Sequence, residues 1–592
     1  MKTKIRCSLK AILKPAMMAV IVLTFSCSKE TAQELKETQG NDKAISKNTT
    51  DEINYVLETF IEGSPISGAN GIDVGPEGNL YIASVTGQEI VVMKENDGEI
   101  IDRIGPERGV LGPDDLVFGP DGTLYWTDIL TGFVGRMTVD GQQLGYQFVA
   151  PGVNPIGFSP DGRLFVALDF LGDGLYELDP NLMEPPRPMV VATEDNPFPL
   201  GFLNAFDFCS DGRLYGPLFA LGYIISVNVD ADNPVTSDPF NDPDLDLQIV
   251  ATGFKNPAAA KFGPDGLLYV LDQTGEIFKI NVETGEKTLF ITCEPGLDNL
   301  VFCADGAFYM TNADQGWVDE IQASGESRNI SRGGLIAPQG LAVLPGTNGQ
   351  DALYEADLFN LRLFNTQSGE EENIYKGFLV PEGPESLILP MNISTDGNNL
   401  VVSSWFSGGV QVWNPQDGVI EAYPAFPVPM DALRFKDDII VSDVGLGGSG
   451  LYWASSTEEI MLAGITVGAL GGLATDGETV WAADWVTGNI LQISFDGKTP
   501  NNIEVISGLQ NPEGLALDET GGLLVVEWGA ARLSRIDLST GERITIAEGL
   551  ELGTAGLGAP PGWSFDGVTI GSTGDIYVSG AGANVIYRVT QE

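Results

Sequence analysis

The chain contains no histidine and few basic residues. Of its 592 residues, 31 are Lys or Arg and 82 are Asp or Glu, which gives a formal net charge of -51. The absence of histidine excludes Ser-His-Asp and Cys-His catalytic mechanisms, together with the commonest protein ligand of zinc and copper. The acidic excess repels nucleic-acid phosphates, so no nucleic-acid partner is expected. Any chemistry must therefore use carboxylates, amides, hydroxyls, lysine or a cation bound by oxygen ligands.

The sequence also lacks long apolar runs, apart from one near its N-terminus. The apolar segment from Ala16 to Phe25 follows several basic residues and is too short to span a membrane, which is typical of an export signal. It ends in the sequence TFSC, which resembles a bacterial lipoprotein cleavage box with Cys27 as the lipidated residue. An ordinary cleaved signal followed by an incidental cysteine is the alternative.

Two N-terminal segments precede the folded part. Residues 1–26 are predicted to be a lipoprotein signal peptide, and residues 27–50, which are polar and charged, a flexible tether. A lipid on Cys27 would hold the protein on a membrane that the chain itself does not enter. The expected location is the outer membrane, with the folded part in the periplasm or exposed at the cell surface.

Cysteine is scarce. If Cys7 leaves with the signal and Cys27 carries the lipid, Cys209, Cys293 and Cys303 remain, so at most one internal disulfide can form. Cys293 and Cys303 are the nearest pair in sequence, and whether they pair stays open. Cys209 and Cys303 precede equivalent turns, in the sequences FCSDG and FCADG, which is more typical of a small buried residue than of a bridge.

Glycine and short alternating strands are abundant. The chain has 74 glycines and 35 prolines, which suits a turn-rich all-β protein. From Gly112 to Met137, an apolar run meets a Pro-Asp-Gly turn, a second run reads LYWTD, and a third alternating run follows. Proline presets one turn angle and glycine supplies positive φ, so three short antiparallel strands are predicted. One such meander has exposed edges and too little core to fold alone.

The pattern recurs twelve times at a spacing of about 45 residues, which is the period of a four-stranded propeller blade. The first-hairpin turns lie at Gly78, Gly122, Gly162, Gly212, Gly266, Gly306, Gly349, Gly397, Asp438, Gly477, Gly522 and Gly574. The sequence therefore predicts an all-β protein made of two tandem six-bladed β-propellers, with twelve four-stranded blades in total. A single twelve-bladed ring is the alternative, but it leaves a wide channel.

Ring closure sets the predicted domain boundaries. The strand of residues 54–60 has no triplet of strands before it, and the chain ends on a triplet with no outer strand after it. We expect residues 54–60 to complete the sixth triplet and a strand near Arg328 to Ser331 to complete the twelfth, because closure removes open sheet edges. The two propellers are then residues 51–326 and 327–592.

Several blades resemble known propeller families. The sequence LYWTD, which ends at Asp128, matches the signature of YWTD propellers, which are six-bladed. The sequences NPEGLALD, which begins at Asn511, and GNLYIA, which begins at Gly78, look like NHL repeats. The spacing is also similar to that of the senescence-marker and gluconolactonase superfamily of calcium-dependent lactonases. The resemblance covers nearly the whole chain after residue 51, and related propellers share blades while differing in activity.

One position in each first-ring blade is predicted to face the ring axis, seven residues before the hairpin acid. These rim positions are Asn70, Asp114, Asn154, Asn204, Ala258 and Asp298. Five of them are Asn or Asp, whose hard oxygens suit Ca²⁺ or Mg²⁺. The gluconolactonase-like resemblance implies one divalent cation held by Glu, Asn and Asp, here matched by Asn154, Asn204 and Asp298, with Asp114 where a Glu is expected. The alternative is that these residues cap strand starts by hydrogen bonding to loop backbone.

A second set of aspartates is predicted to be structural. They end second strands in several blades, and a residue that recurs in each repeat serves the repeat. Hydrogen bonding between blades is the expected role of Asp128, Asp272, Asp357, Asp443 and Asp484.

The second ring has different rim residues, namely Gln339, Met391, Met430, Gly471, Glu513 and Asp566. Three tryptophans, Trp405, Trp485 and Trp528, directly follow second strands, which places them on the rim face. Aromatic planes beside Glu513 predict a platform for a sugar, a peptide or another planar ligand. The predicted ligand-binding residues are Trp405, Trp485, Trp528, Glu513, Asp566 and Gln339. The alternative is that these tryptophans pack between blades.

These observations favour a lipid-anchored double propeller of the cell envelope that binds an extracellular or periplasmic small molecule, glycan or peptide and can carry a divalent cation in its first ring. The first alternative is a calcium-dependent hydrolase of a lactone or related ester. In that case Asn154, Asn204 and Asp298 would hold the metal, and Asp114 would be a ligand or the catalytic base. Asn70 completes the set of candidate metal ligands in the first ring. The second alternative is a metal-free protein-interaction scaffold. The sequence does not decide whether the protein is an enzyme.

Overall fold

The structure is a computed structural model that describes residues 55–230, 235–346, 350–378, 383, 385–446, 448–553 and 565–591. The predicted signal peptide, the tether with Cys27 and the hairpin glycine Gly349 lie outside these residues. The described chain forms 47 β-strands, the first of which is β1 (Tyr55–Glu62), and three 3-10 helices, Pro106–Arg108, Pro239–Asn241 and Trp528–Ala530. None of its helices has the length and apolar character needed to cross a membrane. The predicted all-β class is confirmed.

The chain divides into two compact units, and Gly63–Ala337 forms the first ring. Its six sheets each contain four antiparallel strands that are consecutive in sequence, from the inner to the outer edge of a blade. The strands are β2 (Ile72–Val74), β3 (Asn79–Ser84), β4 (Glu89–Lys94) and β5 (Ile100–Ile104) in blade 1; β6 (Pro113–Phe118), β7 (Leu124–Asp128), β8 (Phe133–Met137) and β9 (Gln143–Phe148) in blade 2; β10 (Val153–Phe158), β11 (Leu164–Leu168), β12 (Gly174–Leu178) and β13 (Arg187–Val191) in blade 3; β14 (Asp207–Phe208), β15 (Leu214–Leu218), β16 (Tyr223–Val227) and β17 (Gln248–Thr252) in blade 4; β18 (Pro257–Phe262), β19 (Leu268–Asp272), β20 (Glu276–Asn281) and β21 (Glu286–Thr292) in blade 5; and β22 (Leu297–Phe302), β23 (Phe308–Asn312), β24 (Val318–Ile321) and β25 (Ser327–Ser331) in blade 6. Each inner strand contacts the next, and β22 contacts β2, so the ring is closed.

The second unit, Pro338–Glu592 together with the segment that ends at Glu62, forms the second ring. Its strands are β26 (Leu341–Pro345), β27 (Asp351–Asp357), β28 (Asn360–Asn365) and β29 (Glu371–Lys376) in blade 7; β30 (Asn392–Thr395), β31 (Leu400–Ser404), β32 (Gly409–Asn414) and β33 (Gly418–Tyr423) in blade 8; β34 (Pro429–Phe435), β35 (Asp438–Asp443) and β36 (Gly450–Trp453) in blade 9; β37 (Leu470–Thr475), β38 (Thr479–Asp484), β39 (Asn489–Asp496) and β40 (Thr499–Ser507) in blade 10; β41 (Pro512–Leu517), β42 (Gly522–Glu527), β43 (Arg532–Asp537) and β44 (Arg543–Glu548) in blade 11; and β45 (Val568–Ile570), β46 (Ile576–Gly580) and β47 (Val585–Gln591), with β1, in blade 12. The inner strands again contact one another in turn, and β45 contacts β26. The two predicted six-bladed propellers are confirmed.

Blade 9 departs from the predicted four strands, because its sheet has three. The outer edge of β36 is partly covered by the chain that follows it. The Trp453 N–H donates to the Glu458 carbonyl at 3.0 Å, and the Ile460 N–H donates to the Leu451 carbonyl at 2.8 Å. This short pairing replaces a regular outer strand and satisfies part of an edge that would otherwise be open.

The prediction of which strand closes which ring was wrong. The N-terminal strand β1 pairs with β47 in blade 12, and β25 pairs with β24 in blade 6. A tight turn at residues 322–326 joins β24 to β25, and such a local hairpin costs little loop-closure entropy. Blade 6 is therefore completed by the strand next to it in sequence, and β1 is left for blade 12. The compact units accordingly divide at 62/63 and 337/338 rather than at 326/327.

Aromatic contacts join neighbouring blades at a repeated position. Tyr81 of blade 1 packs edge-on against Phe118 of blade 2, with ring centroids 4.9 Å apart. Tyr125 packs in the same way against Phe158 of blade 3, at 5.2 Å. Each such pair contributes about 0.5–1.5 kcal/mol beyond its buried area. The tyrosine of the recurring Leu-Tyr sequence therefore belongs to the interface between blades.

Hydrogen bonds between blades come from aspartates of inner strands, not from those that end second strands. Asp73 in blade 1 accepts from the Phe118 N–H of blade 2 at 2.8 Å, and Asp431 in blade 9 accepts from the Leu473 N–H of blade 10 at 2.7 Å. Asp128 instead accepts from the N–H groups of Leu111 and Gly112, at 2.9 and 3.0 Å, in the loop that leads into its own blade. The aspartates that end second strands are structural, as predicted. The hydrogen bonds between blades that were predicted for them are made instead by aspartates of the inner strands.

Cys209, Cys293 and Cys303 are free and half-buried. Cys293 packs against the apolar core between blades 5 and 6, and Cys303 packs against the core of blades 6 and 1. Burial raises the pKa of both of these thiols to about 11. They behave as small apolar residues, and Cys293 and Cys303 do not form a disulfide.

Candidate functional sites

The rim residues of the first ring are positioned by β-bulges. In blade 2 the pairing of β6 with β7 shifts register between Pro113 and Leu116, so Asp114 and Asp115 occupy a bulge at the rim end of the inner strand. Blade 3 has a register shift directly after Asn154, and blade 6 has one between Leu297 and Leu300 that includes Asp298. A bulge re-aims side chains at the end of a strand. The bulges therefore set the direction of the polar side chains at the rim end of these inner strands.

Sequence reasoning missed one residue of this site, Asp169. It directly follows β11, is 0% exposed, and accepts a hydrogen bond of 3.1 Å from the Asn154 side-chain amide through Oδ2. Its Oδ1 has no hydrogen-bond partner among the residues that the structure describes. The Asp169 N–H donates to the Gly152 carbonyl at 2.8 Å, as the Ile129 N–H donates to the Gly112 carbonyl at 3.1 Å. Asp169 thus occupies the position that Ile129 has in blade 2. This departure from the repeat was the signal in the sequence that could have identified Asp169 as a site residue.

Asp114, Asp169 and Asp298 form one acidic cluster. Burial, followed by the charge of Asp115, raises the pKa of Asp114 to about 7. Burial also raises the pKa of Asp169 and of Asp298 well above the usual value, and in both cases the next largest cause is the charge of Asp114. Asp114 and Asp169 are buried, whereas Asp298 is half-buried. The cluster is therefore accessible from the side of Asp298.

The other two predicted metal ligands use their oxygens locally. Asn70 Oδ1 accepts from the Val85 N–H at 3.3 Å, and Asn204 Oδ1 accepts from the Ala205 N–H at 2.8 Å. Both contacts match the alternative prediction that these amides cap the backbone. Among the described residues, no three Asp, Glu, His or Cys side chains are arranged to hold one metal ion. The residues present therefore fit a divalent cation incompletely.

Four phenylalanines from blades 3 and 4 contact one another, and the first of them directly follows Asp169 in sequence. We call Phe170, Phe198, Phe202 and Phe219 the phenylalanine cluster. The rings of Phe170 and Phe202 stack with centroids 5.5 Å apart, Phe170 contacts Phe219 at 5.2 Å, and Phe198 contacts Phe202 at 5.6 Å. Phe170 and Phe202 have positive φ angles of 50° and 68°. A bulky side chain in this conformation costs about 1–2 kcal/mol, so the surrounding loops hold these rings in place.

The second ring places Glu513 and Asp566 together. Glu513 occupies a bulge between Pro512 and Leu515, the position that Asp114 has in the first ring. Glu513 Oε2 accepts from the Asp566 N–H at 2.9 Å, and Asp566 Oδ2 accepts from the Gly553 N–H at 2.8 Å. Both side chains are 0% exposed. Burial raises the pKa of Asp566 to about 7, and burial followed by the charge of Asp566 raises the pKa of Glu513 well above its usual value.

Two of the predicted tryptophans form a pair above these carboxyls. Trp485 Nε1 donates to Glu513 Oε1 at 3.1 Å, and Trp528 Nε1 donates to the Gly553 carbonyl. The two indoles lie 5.6 Å apart between ring centroids, with their planes tilted by 41°, and both are half-buried. Because their N–H groups are bonded inside the protein, the surface that these rings expose is apolar. We call Trp485 and Trp528 the tryptophan pair.

The other two predicted ligand-binding residues of the second ring are Gln339 and Trp405. Gln339 is buried, and its side-chain oxygen accepts from the Phe565 N–H at 3.3 Å, next to Asp566. Trp405 is half-buried and packs edge-on against Phe406, with centroids 5.6 Å apart. Gln339 therefore supports the backbone that carries Asp566. Trp405 and Phe406 directly follow β31 of blade 8, and a role of Trp405 in ligand binding stays a prediction.

Comparison with known proteins gives a structural likeness and no assigned family. No protein-family model matches the chain, and no curated protein matches its sequence. A virginiamycin B lyase structure from Staphylococcus aureus aligns at 15% identity and a TM-score of 0.35, over 51% of this chain and 96% of that one. The extracellular domain of a putative one-component system from B. thetaiotaomicron aligns at 11% identity and a TM-score of 0.30, over 88% of this chain and 76% of that one.

Proposed function

We propose that the protein is a ligand-binding double propeller of the cell envelope, and that its second ring binds the ligand on the tryptophan pair. The observation that carries this proposal is the anchoring of both indoles. Each N–H group is bonded to a buried acceptor, and each tryptophan is half-buried rather than fully enclosed. A rigid aromatic surface loses little conformational entropy on binding.

The chemistry of the exposed surface limits the class of ligand. With the indole N–H groups occupied, the tryptophan pair offers ring faces, and these favour flat apolar surfaces such as the C–H face of a sugar ring. The net charge of -51 disfavours polyanions. Glu513 and Asp566 are fully buried, so we assign them to positioning Trp485 and not to contact with the ligand. A neutral glycan is therefore the first class to test, and a peptide with aromatic side chains is the second.

A glycan array followed by titration calorimetry tests this proposal. We expect Trp485→Ala and Trp528→Ala to weaken binding of the captured glycan by about tenfold or more each, because stacking on an indole is lost. Trp405→Ala, in blade 8, is the matched control and should retain affinity. Unchanged binding in both pair variants would reject the platform. Failure to capture any glycan or peptide while a folded protein partner is captured would favour the scaffold alternative.

The predicted divalent cation of the first ring stays a prediction. Its support is the oxygen donors of Asp114, Asn154 and Asp298 and the unpartnered Oδ1 of Asp169. The incomplete fit described above opposes it, so we derive no hydrolytic step from a metal. Metal analysis of the purified chain, with and without chelator, tests the prediction. Lactone hydrolysis that is sensitive to chelator and lost in Asp298→Ala would revive the hydrolase alternative.

The envelope location rests on the N-terminal sequence. We propose that Cys27 carries the lipid and that the two rings follow a polar tether. Incorporation of a labelled fatty acid and membrane fractionation test this location. Cys27→Ser should lose the label and leave the membrane fraction, while Cys7→Ser should retain both. Release of an unlabelled wild-type chain would favour the ordinary cleaved signal.

A further inference from the structure

One residue of blade 11 contacts both members of the tryptophan pair. Asn511 directly precedes β41, and its side-chain amide donates to the Trp485 carbonyl at 3.0 Å. Its own carbonyl accepts from the Trp528 N–H at 3.1 Å. Trp485 follows β38 of blade 10, and Trp528 follows β42 of blade 11. Asn511 therefore joins the backbone of one tryptophan to the backbone of the other.

The loops around Asn511 hold its amide in one place. Asn511 has a positive φ of 50°, which asparagine adopts more readily than most residues because its short side chain can hydrogen-bond locally. Glu527 Oε2 accepts from the Gln510 N–H at 2.9 Å, so the residue before Asn511 is tied to the end of β42. A Cβ at Gly529 would lie 2.5 Å from Asn511 Oδ1. The glycine that follows Trp528 therefore leaves room for this amide.

The backbone contact of Asn511 belongs to the repeat, whereas its side-chain contact is additional. In blade 2 the Ile129 N–H donates to the Gly112 carbonyl at 3.1 Å. This bond corresponds to the one from Trp528 to Asn511, because each acceptor directly precedes the proline that begins the inner strand. Gly112 has no side chain, so a blade closes this loop without one. The Asn511 amide is therefore not required by the loop itself, and its contact is with Trp485.

We propose that Asn511 is the positioning residue of the tryptophan pair, and that it holds the two indoles at their spacing of 5.6 Å and tilt of 41° before a ligand binds. Glu513 fixes the Trp485 ring through Nε1 at 3.1 Å, while Asn511 fixes the Trp485 backbone. Two hydrogen bonds to one segment of blade 11 thus orient the indole of blade 10. A surface that is ordered in advance loses less conformational entropy on binding. The effect on binding rests on the proposed function, and the indole geometry does not.

Circular dichroism of the full chain in the far ultraviolet tests the geometry without a ligand. Two indoles in contact couple their electronic transitions, and the resulting bands of opposite sign depend on the distance and orientation of the rings. Subtraction of the Trp485→Phe spectrum from that of the wild type separates this signal from the other tryptophans. We expect Asn511→Asp to reduce the signal by about half or more, because aspartate keeps the shape and lacks the amide donor.

Asn511→Gly separates loss of the amide from misfolding. Glycine adopts a positive φ without strain and keeps the carbonyl that accepts from Trp528, so the variant should fold and still lose the coupled signal. Asn256→Asp is the matched control, because Asn256 directly precedes Pro257 in blade 5 and its carbonyl accepts from the Gln273 N–H at 3.0 Å. A wild-type signal in Asn511→Gly would overturn the inference.

Titration calorimetry with the neutral glycan captured on the array tests the effect on binding. We expect Asn511→Gly to weaken binding of this glycan by about fivefold to tenfold, and Asn256→Asp to retain full affinity. Loss of the coupled signal with full affinity would reject the role of Asn511 in binding. Loss of the signal in a chain that captures neither a glycan nor a peptide would support the positioning role and reject the proposed function instead.

Discussion

Asn299 and Asp115, which are 184 positions apart in sequence, are joined by a hydrogen bond of 3.0 Å from the amide Nδ2 to the carboxylate Oδ1. Asp115 belongs to blade 2 and Asn299 to blade 6, so the bond passes across the inner strand of blade 1. Both side chains are 3% exposed. Asp115 also accepts from the Ile156 N–H of blade 3 at 3.1 Å. One carboxylate of blade 2 therefore joins blade 2 to blades 3 and 6.

Gly71 of blade 1 should be intolerant of substitution, because a side chain at this position would occupy the space of the Asp115 carboxylate that bonds to Asn299. A Cβ at Gly71 would lie 2.4 Å from Asp115 Oδ1 and 2.6 Å from its Cα. Gly71→Ala should therefore lower the free energy of unfolding of the first ring by about 1–3 kcal/mol. Urea denaturation measures the change. Gly145→Ala is the control, because the nearest atoms to its Cβ begin at 3.3 Å. Equal effects of the two variants would contradict this explanation.

The Glu513 side chain should hold the Trp485 indole in the position that it has in the tryptophan pair. Glu513→Ala removes the acceptor of the Trp485 Nε1 hydrogen bond and leaves a buried donor unpaired, which costs about 1–3 kcal/mol. We expect lower stability, a shifted tryptophan emission and weaker ligand binding. Glu513→Gln keeps an oxygen at this position and should retain the emission spectrum. An alanine variant with the wild-type spectrum and affinity would show that Trp485 is held by its packing.

The stability of the second ring should fall as the pH rises from about 4 to about 7. Burial raises the pKa of Asp566 from 3.8 to about 7, so the folded state binds a proton that the unfolded state releases in this interval. The stabilisation is complete below the unfolded pKa and lost as the pH passes the folded one, by roughly 4 kcal/mol. Chemical denaturation across this range measures the slope. Asp566→Asn should flatten it, whereas Asp417→Asn, at an exposed position, should not. An unchanged slope in Asp566→Asn would assign the effect to another group.

Removal of β1 should open the second ring and leave the first intact. Leu57 of this strand packs into the apolar core of blades 11 and 12, and seven residue pairs align β1 with β47. Deletion of residues 1–62 exposes the edge of β47 and removes this packing. Calorimetry should then show the loss or lowering of one unfolding transition. Deletion of residues 1–50, which keeps β1, is the control. Loss of the first-ring transition instead would contradict the observed closure.

The repeat made much of the fold predictable from sequence. Pro-Asp-Gly turns and alternating apolar residues recur in successive units, and Gly122, at φ 80°, has the positive angle that such a turn requires. The strand that closes each ring was less predictable. A count of strands allowed the strand of residues 54–60 and the strand near Arg328 to Ser331 to complete either of the two open triplets. The short turn at residues 322–326 decided between them, since a local hairpin forms at low entropic cost. Blade 9 also fell outside the pattern, because its outer edge is covered by a short irregular pairing.

The sequence by itself determined the strand order within each blade, the two sixfold rings and the rim positions, because these follow from a short period that local turns enforce. It also placed Trp485, Trp528, Glu513 and Asp566 at one end of the second ring. Only the tertiary structure decided which of these side chains meet. It joined Trp485 to Glu513, left Trp405 in blade 8, and added Asp169 to Asp114 and Asp298. Side-chain contacts between blades depend on bulges and ring closure, which bring together residues that no local pattern relates.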